Sequence, residues 1–438
     1  MEAKVKKALA IILCISLIAV AFSACKSTDP AGQGGEDAGK EITYWSFMNE
    51  GEPVQQWMQT FIDAYEEETG VTVNVVWCGR EVLTRLQSAV ASGSVEDLPD
   101  IVDQMNTTVL NLQESDGIFY PLDDLMQQTK AWGREDSFYS IFDETALNAG
   151  RASDGKLYCI PREMYTSAVF YNAKMFEENG IAVPKTWDEF MDVCAQFKAL
   201  GIAPIAYDGI FEEYVPWWYI RACERLVGID SLNAACRGEI GWSSDSRFLE
   251  AAQDMQALVD NQYFQNNYEG ANWPSSQIYW VQGGAAMYYC GTWLPAELAE
   301  STPEDFEMDI FAFPAHENET DPGIEEVWGN YWAILKDADA ELALDFINFS
   351  FQKEYDDAKS DLIIPSPLKD GKPAVGLETQ GELLANAEST CEIYGNLVQY
   401  GDYYSNIFTK NVNDLMLGKL TAEEFIAKMD EDTESYYG

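Results

Sequence analysis

The sequence predicts an α/β protein of two lobes, and three observations carry that reading. Its 438 residues exceed the roughly 250–300 at which a single hydrophobic core stops growing. Short β-branched runs alternate with stretches of 3.6-residue apolar period, the pattern of strands joined by helical crossovers. At 47% hydrophobic and 13% aromatic, the chain can fill two cores, which separates it from disordered sequences.

The elements follow in order. Ile42–Trp45 is a short apolar strand. Glu52-Pro53 then opens a helix in which Val54, Trp57, Met58, Phe61, Ile62 and Tyr65 fall on one face, and Gly70 ends it. Val71, Val73, Val75 and Trp77 alternate along a second strand, completing a βαβ unit that implies parallel pairing. A helix over about Glu81–Ala91 leads to a third strand, Pro99-Asp100-Ile101-Val102. Ser167–Tyr171 reads as a strand. Thr186 and Glu189 form a capping box before the amphipathic run Phe190, Val193, Cys194, Phe197, Leu200, and Ile202–Tyr207 returns as a strand. Further helices are predicted at about Pro216–Leu226, Asp245–Asp260 and Glu341–Phe351, and closing helices over about Tyr404–Met429.

Charge and composition exclude several functions. Lys+Arg 27 against Asp+Glu 74 gives −47, a balance repelled by phosphate backbones and anionic headgroups, so no nucleic acid is bound. A single histidine, His316, removes multi-histidine zinc sites and all but removes serine–histidine hydrolases. It reads as a surface residue, Asp337 and Asp339 as helix caps rather than a metal site, and Asp430-Glu431-Asp432 as a solvated tail. No metal and no cofactor is expected. Nine cysteines without a C-x-x-C give neither a disulfide framework nor a metal knuckle. Most read as small buried hydrophobes, with a Cys223–Cys236 pair as the one candidate bridge.

The N-terminus carries its own signal. Lys4, Lys6 and Lys7 precede an apolar run from Ala8 to Phe22, shorter than the roughly 20 residues that span a bilayer, so residues 1–24 read as an export signal. The junction Ser23-Ala24-Cys25 resembles a bacterial lipobox, with Phe22 where leucine is usual. Cys25 is then the lipidated residue of the mature chain. Residues 25–40 are a Gly/Ala/Ser/Asp-rich tether, whose last fourteen residues reach roughly 20 Å as a coil. The G-x-x-x-x-G-K match at Gly34–Lys40 precedes the first strand instead of following one and continues with Glu41, so it is coincidental.

The order of segments resembles a known family, the extracellular solute-binding proteins of bacterial ABC importers, carbohydrate class. Gly155-Lys156-Leu157-Tyr158 through Pro161 to Val169-Phe170-Tyr171-Asn172 is similar to the family's first crossing between lobes. Pro184-Lys185-Thr186-Trp187-Asp188-Glu189-Phe190 resembles its helix start, and Gln282-Gly283-Gly284-Ala285-Ala286-Met287 with Gly291-Thr292-Trp293 its "G-x-x-A-M…G-x-W" segment. Leu417-Gly418-Lys419 with Thr421-Ala422-Glu423-Glu424 resembles its terminal helix. The resemblance implies a periplasmic-binding-protein-like fold with a hinged cleft. One lobe would comprise 41–161 and 326–360, the other 162–325 and 361–438. It further implies a monomer, anchored through Cys25 to the outer face of the cytoplasmic membrane, that hands a mono- or oligosaccharide to ABC permease subunits without catalysis.

A sugar offers C–H faces and a rim of hydroxyls, so its site needs flat apolar platforms and paired donors and acceptors. Trp45, Trp217, Trp293 and Trp328 fall at strand ends or loops, as do Tyr165, Tyr214 and Tyr403; all seven are candidate ligand contacts. Trp293 also matches the family's ligand-contacting tryptophan. Asn49 and Glu50 follow the first strand, Arg80 the second, Gln104 and Asn106 the third, where ligands of open α/β sheets sit. Two other functions fit the composition: a secreted glycoside hydrolase using two carboxyls, and a peptide- or amine-binding protein of the same fold, holding cations over aromatic rings.

Overall fold

The computed structural model describes residues 39–93 and 98–438. The signal, Cys25 and most of the tether therefore lie outside the described residues. Two sheets organise the chain, each wrapped by helices. Eleven strands are described: β1 (Glu41–Ser46), β2 (Thr72–Trp77), β3 (Ile101–Met105), β4 (Ile160–Pro161), β5 (Ser167–Asn172), β6 (Ala203–Ala206), β7 (Ala285–Gly291), β8 (Met308–Phe311), β9 (Ile324–Glu326), β10 (Asn330–Ile334) and β11 (Ser389–Cys391).

The first sheet has the order β2-β1-β3-β10-β4. β1 pairs in parallel with β2 and β3, as the βαβ pattern requires, whereas β10 runs antiparallel to both neighbours. The intervening helix, Pro53–Thr69, starts with proline at its first turn and stops at Gly70, whose φ of 73° is left-handed. Its face of Trp57, Met58, Phe61, Ile62 and Tyr65 is buried against Tyr44, Trp332 and Phe346. Each such side chain contributes about 1.5–3 kcal/mol by leaving water.

β3 runs further than its apolar residues suggest. The sequence reading stops at Val102, yet Asp103 and Gln104 continue the strand in the middle of the sheet. They are tolerated because both are satisfied. Asp103 pairs with the fully buried Arg162 and accepts from Phe47 N, and Gln104 Oε1 accepts from Met105 N at 2.8 Å.

The second sheet, β6-β7-β5-β8, is built from residues 203–311 and β5. Its core takes in the capped helix Trp187–Ala199, where the Thr186–Glu189 box forms as predicted, and the helices Trp217–Leu226 and Ser246–Asp260. Val412, Leu415, Met416, Phe425 and Met429, from helices Thr409–Met416 and Ala422–Tyr437, close the same core. The chain passes between the sheets at β4–β5, again at β9–β10, and returns through β11, which pairs with β9.

Four readings are corrected by packing. The His316 side chain is buried: Nε2 lies 2.8 Å from Asp254 Oδ2, and its ring stacks on Trp187 at 5.3 Å. The acidic run is no loose tail. Asp430 accepts from Trp242 N at 2.6 Å and Asp432 from Asn411 Nδ2 at 2.8 Å, inside a helix that extends to Tyr437. Cys223 and Cys236 are both buried and both free thiols. Asp337 does not cap the helix Ala340–Phe349; Asp339 does, accepting from Leu342 N.

Candidate functional site

The aromatic side chains meet where the chain crosses between the sheets. Tyr165 and Trp328 belong to the two crossing segments and bond to one another as an antiparallel bridge: Tyr165 N donates to Trp328 O at 2.7 Å and Trp328 N to Tyr165 O at 3.1 Å. Gly329 permits this approach, because a Cβ there would overlap the Glu163 carbonyl. Thr292 ties the end of β7 to the same crossing, donating N to Thr166 O and accepting from Thr166 N at Oγ1. Trp293, the next residue, is thereby delivered to the junction.

Trp293 is half-buried. One face lies on Trp217, with centroids 5.8 Å apart and planes at 15°, and Trp328 at 5.5 Å and Tyr165 at 6.3 Å stand steeply inclined to the ring. Trp217 itself is fully buried at the first position of its helix, with Tyr394 at 4.8 Å and Tyr214 at 5.8 Å. Its Nε1 donates to Glu326 Oε2 at 2.8 Å, and Glu326 Oε1 accepts from Tyr394 N at 2.6 Å. Trp217 is therefore the support behind Trp293 rather than an open face of its own. Trp328 is likewise 4% exposed, and Tyr165, Tyr214 and Tyr394 are half-buried around the group.

Beneath the aromatic rings lies a buried ionic knot. Arg221 donates to Glu224 at 2.6 Å, to Glu325 at 3.0 Å and to Ile324 O at 2.9 Å, while Arg225 pairs with Glu319 at 2.6 Å. Carboxylates outnumber guanidinium groups here, and desolvation disfavours their charge. Burial pushes Glu392 up to about 8 and Glu325 up to about 7, the latter against the pull of Arg221; Glu224 is raised too, by burial and then by Glu326. Glu392 Oε1 accepts from Asn106 Nδ2 at 2.7 Å, while its Oε2 is buried without a partner.

The candidates after the first three strands divide differently. Asn106 is fully buried and fastens the first sheet to the crossing: Nδ2 also donates to Ala149 O, and Oδ1 accepts from Gly329 N. Gln104 is buried and self-satisfied through Met105. Trp45 is 5% exposed beneath the Arg85 guanidinium, 4.2 Å above its ring. Asn49 and Glu50 are exposed after the end of β1, and Arg80 is exposed after the end of β2. Asn49 donates to Glu52 at 2.6 Å, and Arg80 covers Phe47 at 4.2 Å while donating to its carbonyl.

Tyr403 does not join the group. It is fully buried, with Oη 2.6 Å from Thr433 Oγ1 and 3.3 Å from Trp242 Nε1, and packs against the C-terminal helix. Sequence reasoning missed Tyr394, Glu326 and Glu392. Only Tyr394 carried any signal, an aromatic residue standing before Gly395; in the structure the two begin a run of three left-handed residues, Tyr394 to Asn396. Among the described residues no group of acidic, cysteine and histidine side chains could hold a metal ion, and no helix is long and apolar enough to cross a membrane.

Two α/β lobes with crossing strands between them, and aromatic rings gathered at the junction, define a protein of the two-lobe binding-protein fold. The chain belongs to the bacterial extracellular solute-binding proteins, whose family model matches residues 49–357. It is 24% identical over 316 residues to the multiple sugar-binding protein of Streptococcus mutans, covering 68% of each chain. It is similar in fold to the apo form of RafE from Streptococcus pneumoniae (20% identity, 92% of this chain and 99% of that one, TM-score 0.72). RafE in complex with raffinose is similar as well (21% identity, 91% and 100%, TM-score 0.64).

Proposed function

We propose that the protein binds a saccharide between its lobes, returns it chemically unchanged, and presents it to the permease of an ABC importer. One observation carries this: Trp293, stacked on Trp217 with Trp328 and Tyr165 inclined against it, is a half-buried indole at the crossing strands. Such a ring suits the C–H side of a pyranose. The relatives' names support the ligand class, since the Streptococcus mutans protein is a multiple sugar-binding protein and RafE holds raffinose. Against hydrolysis, both Glu326 oxygens are already committed to Trp217 and Tyr394.

The ligand set proposed is Trp293, with Tyr165, Tyr214 and Trp328 around it. Trp217 acts as the support, and Asn49, Glu50 and Arg80 supply the opposing rim. The lobes are taken as 41–161 with 326–360 and 162–325 with 361–438, closing on ligand as a hinged monomer. Cys25 anchors the chain to the outer face of the membrane; a Cys25→Ala chain that still partitions into membranes would remove that assignment. The decisive experiment is a thermal-shift screen of mono- and oligosaccharides against amino acids, peptides and quaternary amines. Binding stabilises the native state by mass action, by about 2.7 kcal/mol at one hundred times Kd, and so raises the melting midpoint. A shift with saccharides alone is expected, and the bound sugar should be recovered intact. Shifts confined to peptides or amines would overturn the reading.

A further inference from the structure

The aromatic group does not end at Tyr214. Phe211 lies 4.8 Å from Tyr214, and Trp273 stacks on Phe211 at 6.1 Å with planes at 26°. From Trp328 the centroids therefore step through Trp293, Trp217, Tyr214 and Phe211 to Trp273 in strides of 5.5, 5.8, 5.8, 4.8 and 6.1 Å. The inner rings are buried or half-buried, but Trp273 is 41% exposed, and its neighbour Ile210 is 49% exposed.

This outer pair is held, not loose. The two loops that carry it are stitched together by Gly209 N to Tyr268 O and Ile210 N to Ala271 O, both 3.1 Å. Gly209 has to be glycine for that approach, since a Cβ would overlap the Tyr268 carbonyl. Asp208, buried at the root of the first loop, accepts from Tyr288 Oη at 2.6 Å and from Ser276 N. The indole N–H of Trp273 is fixed too. With the Gln277 amide oriented to satisfy both its ends, Trp273 donates to it at 3.1 Å, and Gln277 in turn donates to Glu297 at 3.3 Å. A tryptophan whose N–H is pinned and which is still 41% exposed is poorly explained by core packing, which would cover it.

We propose that Phe211 and Trp273 form an outer platform for a further sugar unit, so that the ligand is an oligosaccharide extending from the Trp293 cleft over the rim of the second lobe. The inference rests on the saccharide reading above and adds the length and direction of the ligand. Proximity to the saccharide cleft selects this occupant over a protein partner: Phe211 meets Tyr214 at 4.8 Å, Tyr214 flanks the Trp217 that backs Trp293, and a partly exposed aromatic pair beside that cleft suits the apolar face of a further pyranose. The exposed Glu212, Glu213 and Asn272 adjoining the pair supply acceptors for hydroxyls.

The test is calorimetric titration of the maltose, cellulose, xylan and chitin oligomer series, each from monosaccharide to pentasaccharide, together with raffinose and stachyose. Wild type is compared with Trp273→Ala, Phe211→Ala and Trp273→Phe, each first checked for an unchanged melting transition. In the series that binds, wild-type affinity should rise when the chain becomes long enough to reach the outer pair. Trp273→Ala and Phe211→Ala should each lose about ten-fold at that length, as for an ordinary aromatic contact, and flatten the length dependence. Trp273→Phe should recover most of the loss. Affinity that saturates at a mono- or disaccharide, with the variants matching wild type at every length, overturns the outer platform and leaves the saccharide reading standing. Wild type that binds no member of any series overturns both.

Discussion

Gly291→Ala tests the platform without removing it. Gly291 ends β7, pairs with Ser167, and has no left-handed φ, so alanine is acceptable to the backbone. Its Cβ, however, would overlap Cζ3 and Cε3 of the Trp293 ring. The indole is held by Trp217 on one face and hemmed in by Trp328 and Tyr165, so it must leave the stack to make room. In the free protein the cost is mainly one stacked pair, about 0.5–1.5 kcal/mol. That lowers the melting midpoint by a few degrees at most, because about 1 kcal/mol moves a domain of 150–250 residues by roughly 2–4 °C and a longer chain by less. In the complex the cost is that of a displaced anchor, about 2 kcal/mol, or roughly 30-fold in Kd. Calorimetric titration with the saccharide giving the largest thermal shift, alongside melting curves of the ligand-free protein, separates the two. A folded variant that binds with wild-type affinity would show that Trp293 carries no ligand, and the reasoning would fail. A collapse of the ligand-free midpoint would instead show Trp293 to be core.

Two further outcomes follow from the buried charges. Arg162 pairs with Asp103 and Glu163 in full burial, so Arg162→Met strands two carboxylates and should cost about 3–5 kcal/mol in urea unfolding; a loss below about 1 kcal/mol would mean that water reaches the pair. Glu392 has its carboxyl pushed up to about 8 by burial, above the roughly 4.3 of an unfolded glutamate. The folded chain therefore keeps a proton that the unfolded chain releases. The stability so contributed is complete below about pH 4.3 and falls as pH rises toward 8. Glu392→Gln keeps an oxygen for Asn106 and should flatten the decline of melting midpoint between pH 5 and 8.5, leaving the share due to the other carboxyls that burial raises, Glu224, Glu325 and Glu326 among them. An identical slope in variant and wild type would show that Glu392 does not hold the proton.

Features under local control are legible along the chain. The 3.6-residue face from Trp57 to Tyr65, the stop at Gly70, and the box of Thr186 with Glu189 each depend on residues a few positions apart, and each formed where the pattern put it. The parallel pairing of β1 and β2 followed from the βαβ order. The position of Trp293 after a glycine at a strand end was legible for the same reason. Which rings are open and which are covered depends instead on packing between distant segments. Trp217 and Trp293 look equivalent along the chain, but Trp217 is shut in by Trp293 and Tyr394, which come from distant segments. Tyr403 looked like a loop residue until Thr433 and Trp242 enclosed it. Asn106 looked like a ligand contact and proved to be a clasp to Gly329 and Glu392. His316 looked solvated until Asp254 and Trp187 took it inward. Burial is set by the neighbours that arrive from elsewhere in the chain, and a polar group enters the interior only where one of them supplies its hydrogen bond.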